Sequence, residues 1–389
     1  MDVDRYHASE FGRAGRTVGP NSYVAYFPAP IPRQLTLSND NVSAMAEAEA
    51  ALGRLAGAGR LLPNPQLMVG PYLRREALAS TRIEGTQASL AEVYEAEVSE
   101  ARLSPDVEEV VNYVNAMERG LLLLGELPFS VRLIREMHRV LLSGVRGWHR
   151  QPGELRTSQN WIGPSGATIE TASFVPPPPG DVPGLLSDLE HFVNADGLSL
   201  PPLVQTALVH YQFETIHPFL DGNGRLGRLL VVFALMLRDR LPSPLLYISP
   251  YFEARRTDYY DALQKVREEG DIDRWMSMFF DAITVQSNDG IARAEELTDL
   301  RERNRDVVQA TSRGAAVQLV ELVFEQPVLT AGLVERRLGV SKPTALKALR
   351  QLADTGLLTE IEDGARRQVR WRADPVIDAL TREPDLPGH

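Results

Sequence analysis

The sequence predicts a mainly α-helical protein that ends in a smaller unit of helices and short strands. Three observations carry this expectation. Apolar residues recur at helical spacing through most of the 389 residues, as at Val107, Val110, Val111, Val114 and Met117. A long proline-free apolar run, Leu226 to Leu237, reads as a buried helix opening near Asn223. Past residue 314, helical patterns meet at Gly339-Val340-Ser341, and two strand-prone runs follow. A chain this long exceeds one typical core, so two or three domains are expected.

Apolar residues make up 43% and charged residues 24%, ordinary for a soluble globular protein. The absence of cysteine excludes disulfides, thiolate metal sites and cysteine nucleophiles. The opening stretch carries charges and prolines where a signal peptide has an apolar segment, and no run of about 18 apolar residues occurs, so a cytoplasmic protein is expected. A net charge of −11 argues against nonspecific nucleic-acid binding by the whole molecule, though not by one domain.

In chain order, residues 1–40 read as an irregular proline-rich arm packed on a larger body, since Tyr23, Tyr26 and Phe27 are costly to expose. A helix over 40–62 is capped by Asn39 or Ser43. Residues 64–105 hold two more helices divided at Gly85, the second capped by Thr86 or by Ser89, which has capping-box spacing to Glu92. Residues 106–150 give two helices, broken from Gly144 to Gly153. Two β-prone runs then flank Gly163-Pro164-Ser165-Gly166, a hairpin pattern. Residues 183–216 give two helices, the second delivering His217; His210 belongs to its packing and is assigned no chemistry. Residues 272–310 form one or two helices ending in a charged run. The expected divisions are 1–105, 106–292, a connecting helix at 293–311, a unit at 312–375 and a tail at 376–389.

Chemistry concentrates in His217-Pro-Phe-Leu-Asp-Gly-Asn-Gly-Arg-Leu-Gly-Arg228. Gly222 and Gly224 disfavour a helix interior and make a loop feeding a helix N-terminus, where free N–H groups attract anions. Arg225 and Arg228, three apart, place two cations at that end against the helix dipole, a conflict that a bound polyphosphate removes. Asp221, among these cations, is placed to hold a divalent metal through oxygen. His217 is placed to take a proton from an incoming hydroxyl.

This stretch resembles the Fic-family signature, H-x-F-x-D/E-G-N-G-R-x-x-R, at every specified position. Most Fic enzymes move AMP from ATP to a protein hydroxyl. The resemblance implies a Fic-fold helical bundle with a β-hairpin flap. It implies His217 as base, Asp221 holding Mg²⁺ between the α- and β-phosphates, and Gly222, Asn223 and Gly224 cradling phosphate oxygens. Arg225 would reach the β-phosphate region and Arg228 the γ-phosphate, while Phe219 turns into the core. Ser80-Thr-Arg-Ile-Glu84-Gly85 resembles the family's inhibitory motif, S/T-x-x-x-E-G/N, and implies that Glu84, on one helix face with Ser80, pairs with Arg228 in place of the γ-phosphate. Asn160, Trp161 and Ile162 would form the flap edge that docks a target backbone by strand addition. Tyr259 or Tyr260 would line the adenine pocket. Where relatives often carry an asparagine near the adenine, this chain departs with Glu268.

The unit at 314–373 resembles the winged helix of bacterial regulators. Arg313 to Arg372 carries ten Lys/Arg against seven Asp/Glu, a positive unit in an acidic chain. Lys342, Thr344, Lys347 and Arg350 fall on or beside its recognition helix, and Arg366, Arg367 and Arg370 on its wing, the footprint of DNA backbone contact. Two function classes follow. One is an autoinhibited protein adenylyltransferase using ATP and Mg²⁺ on an unidentified protein and on itself, with AMP removal at the same site as a variant and a homodimer as its assembly. The other is a DNA-binding regulator whose Fic unit senses nucleotide.

Overall fold

A computed structural model describes residues 1–61, 66–98, 103–362 and 369–382. The N-terminal arm is more regular than expected: β1 (Gly12–Arg16) and β2 (Val24–Pro28) pair antiparallel, Ala14 opposite Tyr26. Tyr26 is fully buried and packs with Tyr6 and Phe174, which satisfies the cost of exposing the arm's aromatics.

Helix α1 (Asn39–Leu61) starts where the Ser38 hydroxyl accepts the Asn41 N–H, so Ser38, and neither Asn39 nor Ser43, is the cap. Helix α2 (Gln66–Ile83) stops before Gly85, which takes φ +100°. Helix α3 (Leu90–Val98) is entered through the reciprocal Ser89–Glu92 bonds of a capping box, 2.8 and 3.3 Å. Ser104 and Ser130 cap α4 (Pro105–Leu124) and α5 (Val131–Leu141). After α6 (Val182–Asn194), the pair α7 (Pro202–Ile216) and α8 (Asn223–Leu237) forms the centre of the bundle; every residue from Leu203 to Ile216 is buried. Helices α9 (Ser249–Ala254) and α10 (Arg256–Glu269) lead into α11 (Ile272–Thr311), a single helix of 40 residues that packs along α1.

Residues 150–178 hold no strand pair. The expected hairpin reduces to one antiparallel bridge, Ile162 to Phe174, because its glycines, prolines and short β-prone runs leave no alternating apolar face to pair.

The C-terminal unit runs α12 (Ala315–Glu325), β3 (Val328–Leu329), α13 (Ala331–Leu338), α14 (Lys342–Asp354), β4 (Thr359–Glu362), β5 (Val369–Arg372) and α15 (Asp374–Thr381), with sheet order β3-β5-β4. Thr330 caps α13 and Gly339, at φ +65°, ends it. This unit is not free of the bundle. Gln326 donates to the Tyr94 carbonyl at 3.2 Å, Arg370 pairs with Glu95 at 3.1 Å, and α12 and α15 pack on α2 and α11. Among the described residues, no helix is long and apolar enough to cross a membrane.

Candidate active site

Helix α7 ends at His217 in the left-handed region, φ 49° and ψ 60°, a strained place for a residue other than glycine. The strain is held by Arg156, which is 2% exposed. Its Nε donates to the His217 carbonyl at 2.9 Å, and its Nη2 donates to those of Ile216 (3.2 Å) and Pro177 (2.6 Å). On the other side of the loop, the His138 ring stacks on Phe219 at 3.7 Å and 8°. Its Nδ1 accepts the Gly153 N–H at 2.8 Å, so Nε2 carries the hydrogen and donates to the Asp221 carbonyl at 2.9 Å. Burial lowers His138 to about 4, keeping it in that neutral form.

Asn223 closes the loop on itself. Its Oδ1 accepts the Phe219 N–H and its Nδ2 donates to the Phe219 carbonyl, both at 2.9 Å. Both ends of the side chain thus brace the loop, while Asn223 still lines the cavity and its amide keeps a second N–H. Gly222 takes φ 76°, and its N–H is accepted by Asp221 Oδ1 at 2.6 Å. The open anion site is thus the first turn of α8, beginning with the N–H groups of Asn223 and Gly224.

Glu84 reaches this site from α2. Arg228, buried, donates Nε to Ser80 Oγ (2.8 Å) and Nη2 to the Ser80 carbonyl (2.9 Å) and to Glu84 Oε1 (2.9 Å). The carboxylate also lies against Gly224, where a methyl group would come within 2.6 Å of Glu84 Oε1. Burial pushes the Glu84 carboxyl up, but the Arg228 guanidinium outweighs it and holds the group below the usual carboxylate range. His217 is lowered to about 3 by burial, with Arg156 and Arg267 adding to it, and its Nδ1 has no hydrogen-bond partner among the described residues. It is a neutral imidazole, able to accept a proton.

These groups line a cavity of about 610 Å³ with Trp161, Ile162, Asp221, Arg228, Tyr260 and Arg267 among its walls. Two expected contacts fall elsewhere. Arg225 is buried behind the loop on Glu109, at 3.3 Å, which Arg146 and Thr86 also hold. Tyr259 is a core residue, stacked on Phe252 at 4.3 Å with its hydroxyl 2.9 Å from His210; Tyr260 alone of the pair reaches the cavity. Glu268 faces the arm, pairing with Arg5 at 2.9 Å. Asn160 also changes role: it donates to the Phe219 carbonyl at 2.8 Å and braces the loop, leaving Trp161 and Ile162 exposed at the rim. Arg366 and Arg367 lie outside the described residues, and Arg370 is committed to Glu95, whereas Lys342, Thr344, Lys347 and Arg350 are all exposed along α14. Sequence reasoning missed Arg156, His138 and Glu109, whose partners within the His217–Arg228 stretch lie 61 to 116 residues away.

A helical bundle that aims a neutral histidine, a glycine loop and a buried arginine into one cavity defines a phosphate-handling site. Residues 42–122 match the family model described as Fic/DOC family N-terminal, and residues 128–235 match the Fic/DOC family. Over these residues the chain belongs to the Fic/DOC family. The chain is 34% identical over 206 residues to protein adenylyltransferase Fic of Drosophila grimshawi, a match covering 50% of this chain and 38% of that protein. The Drosophila virilis protein of the same name is also 34% identical, with 37% of it covered. The chain thus spans well under half the length of these curated relatives. The fold resembles a Fic family protein from Desulfovibrio desulfuricans G20 (TM-score 0.56, 21% identity, 87% of this chain and 97% of that one). It also resembles a Fic domain containing signaling protein from Bacteroides thetaiotaomicron (TM-score 0.50, 21% identity, 64% and 95%).

The buried histidines set an acid limit on the fold. His138 and His210 are lowered to about 4 and 3, so below the unfolded value of about 6.5 the unfolded chain binds protons that the folded one refuses. Unfolding free energy should fall between pH 6.5 and 5 by up to about 1.4 kcal/mol per pH unit for each of these two and for His217, likewise lowered to about 3. Urea titrations at three pH values check this; a flat profile contradicts the buried neutral state.

Proposed function

We propose that the protein moves AMP from ATP to a hydroxyl of a protein side chain, and that Glu84 holds it inactive. The observation that carries this is the Glu84 carboxylate on Arg228 and Gly224, at the N-terminus of α8. A carboxylate there occupies the ground that a terminal phosphate needs, because both compete for the same guanidinium fork. The name borne by the Drosophila relatives supports the reaction class.

In the forward step the acceptor oxygen bonds to the α-phosphorus, the bond from that phosphorus to the β-phosphate oxygen breaks, and pyrophosphate leaves. The acceptor proton passes to the neutral His217, whose strained backbone Arg156 keeps in place. The α8 amides and Arg228 hold the anionic groups without reorganising. Asp221 fits a magnesium ion: its side chain is 40% exposed, and among the described residues no group of three or more metal-ligating side chains surrounds it. Magnesium is commonly held by one or two carboxylates, with phosphates and water supplying the other ligands. Bound there, it would offset phosphate charge. The same pocket with Glu84 in place suits the reverse variant, in which that carboxylate directs a water onto an AMP–protein bond. The exposed rim residues Trp161 and Ile162 are the proposed docking edge for the acceptor.

With α-phosphate-labelled ATP and Mg²⁺, the unsubstituted chain should label itself faintly, Glu84→Gly at least tenfold more, and Glu84→Gly/His217→Ala not at all. Because the Glu84 carboxyl lies below its ordinary range, acidification to pH 5.5 should leave the unsubstituted chain inhibited. A single variant that binds ATP but transfers no label defeats the reading.

One observation favours a second, compatible role. Lys342, Thr344, Lys347 and Arg350 are all exposed along α14, in the unit that follows a helix-turn-helix order. We propose that these residues contact the DNA backbone. Lys347→Glu/Arg350→Glu should abolish duplex retention in gel shift, and neutralising the two should cut the slope of log affinity against log salt by roughly two. An unsubstituted chain with no salt-dependent duplex binding removes this role.

A further inference from the structure

Glu214 lies on α7 one turn before His217 and has no part in the chemistry above. It forms part of the cavity wall and is 6% exposed. Its side chain makes no hydrogen bond or ion pair among the described residues, and Oε1 is buried without a partner. That oxygen packs against Gly227, where a methyl group would approach it to 2.3 Å. The glycine at a position the Fic signature leaves free is thus what gives the carboxyl its room. A buried carboxyl without partners costs stability unless something else completes its bonding.

The charged and titratable groups facing Glu214 come from three places: Arg228 on α8, Glu84 in the turn after α2, and Arg267, Tyr259 and Tyr260 on α10, with His217 just past the end of its own helix. Burial pushes its carboxyl up to about 7, Glu84 adds to this, and Arg228 and Arg267 oppose it. An ionised carboxylate only accepts hydrogen bonds, as phosphate oxygens do, so beside a polyphosphate it would repel. The neutral acid has an O–H to give.

We propose that Glu214 is a donor-contacting residue whose carboxyl, in its protonated form, gives a hydrogen bond to an oxygen of the nucleotide held at the start of α8. This rests on the nucleotide-transfer reading. Phosphate charge nearby favours the protonated form further, so nucleotide binding takes up a proton, and by linkage affinity weakens as pH rises.

The test is calorimetry of MgATP binding to full-length Glu84→Gly/His217→Ala, between pH 6 and 8.5, in two buffers of different ionisation enthalpy. Without Glu84 the Glu214 carboxyl starts lower, so proton uptake should rise with pH across this range, with Kd weakening by up to about tenfold per pH unit where uptake nears one. Adding Glu214→Gln, which keeps a donor but cannot titrate, should leave binding intact with no uptake beyond that of the ligand and a flatter profile. Glu214→Val should bind more weakly at pH 6 and also lack the slope. Uptake and slope unchanged in both variants overturn the inference while leaving the transfer reading standing. No MgATP binding by the parent variant overturns both.

Discussion

Arg228 sits one turn into α8, buried, where a guanidinium loses most of its water and meets the positive end of a helix dipole. Left alone there it would be costly. Ser80 answers part of the demand with its hydroxyl and its carbonyl, and Glu84 supplies the countercharge. The rest of the molecule is arranged around keeping that answer in reach. Helix α2, which carries Ser80 and leads directly into Glu84, is packed against α4, α8 and α9 and against α12 and α15 of the C-terminal unit. The site therefore always needs an anion beside Arg228, and regulation becomes a competition between a tethered carboxylate and a soluble phosphate.

Around this pair the residues divide into those that act and those that hold. His217, Asp221, Gly224 and Arg228 face the cavity. Arg156, His138, Asn160 and Glu109 hold the loop from behind, and none of them needs to touch a ligand; Asn223 braces the loop and also lines the cavity. Strain at His217 is affordable because three carbonyls converge on one buried guanidinium.

What could be read from the sequence follows from distance along the chain. His217 to Arg228 is contiguous, so the loop, its helix and its chemistry were legible as a unit. Glu84 lies 144 residues from Arg228, and only the resemblance to a motif joined them. Arg225 was read as a ligand contact because its type suits phosphate, but Glu109 claims it first, and no spacing rule reveals that. The flap was read as a hairpin from its turn residues and two short β-prone runs, without an alternating apolar face to pair its arms. Tyr259 and Tyr260 are neighbours on one helix, and only the packing of His210 and Phe252 decides which of them turns inward. In the C-terminal unit, the Gly339-Val340-Ser341 turn made the helix order legible, while its seating on α2 and α3 depends on contacts such as Arg370–Glu95 that sequence does not announce.

The central claim is that Glu84 and a terminal phosphate share one place. A crystal structure of Glu84→Gly with MgATP tests it most directly. The account predicts the γ-phosphate on Arg228 and against Gly224, within hydrogen-bond distance of the guanidinium that now holds Glu84. Triphosphate density elsewhere in the cavity, with Arg228 still bound only to Ser80, would contradict it.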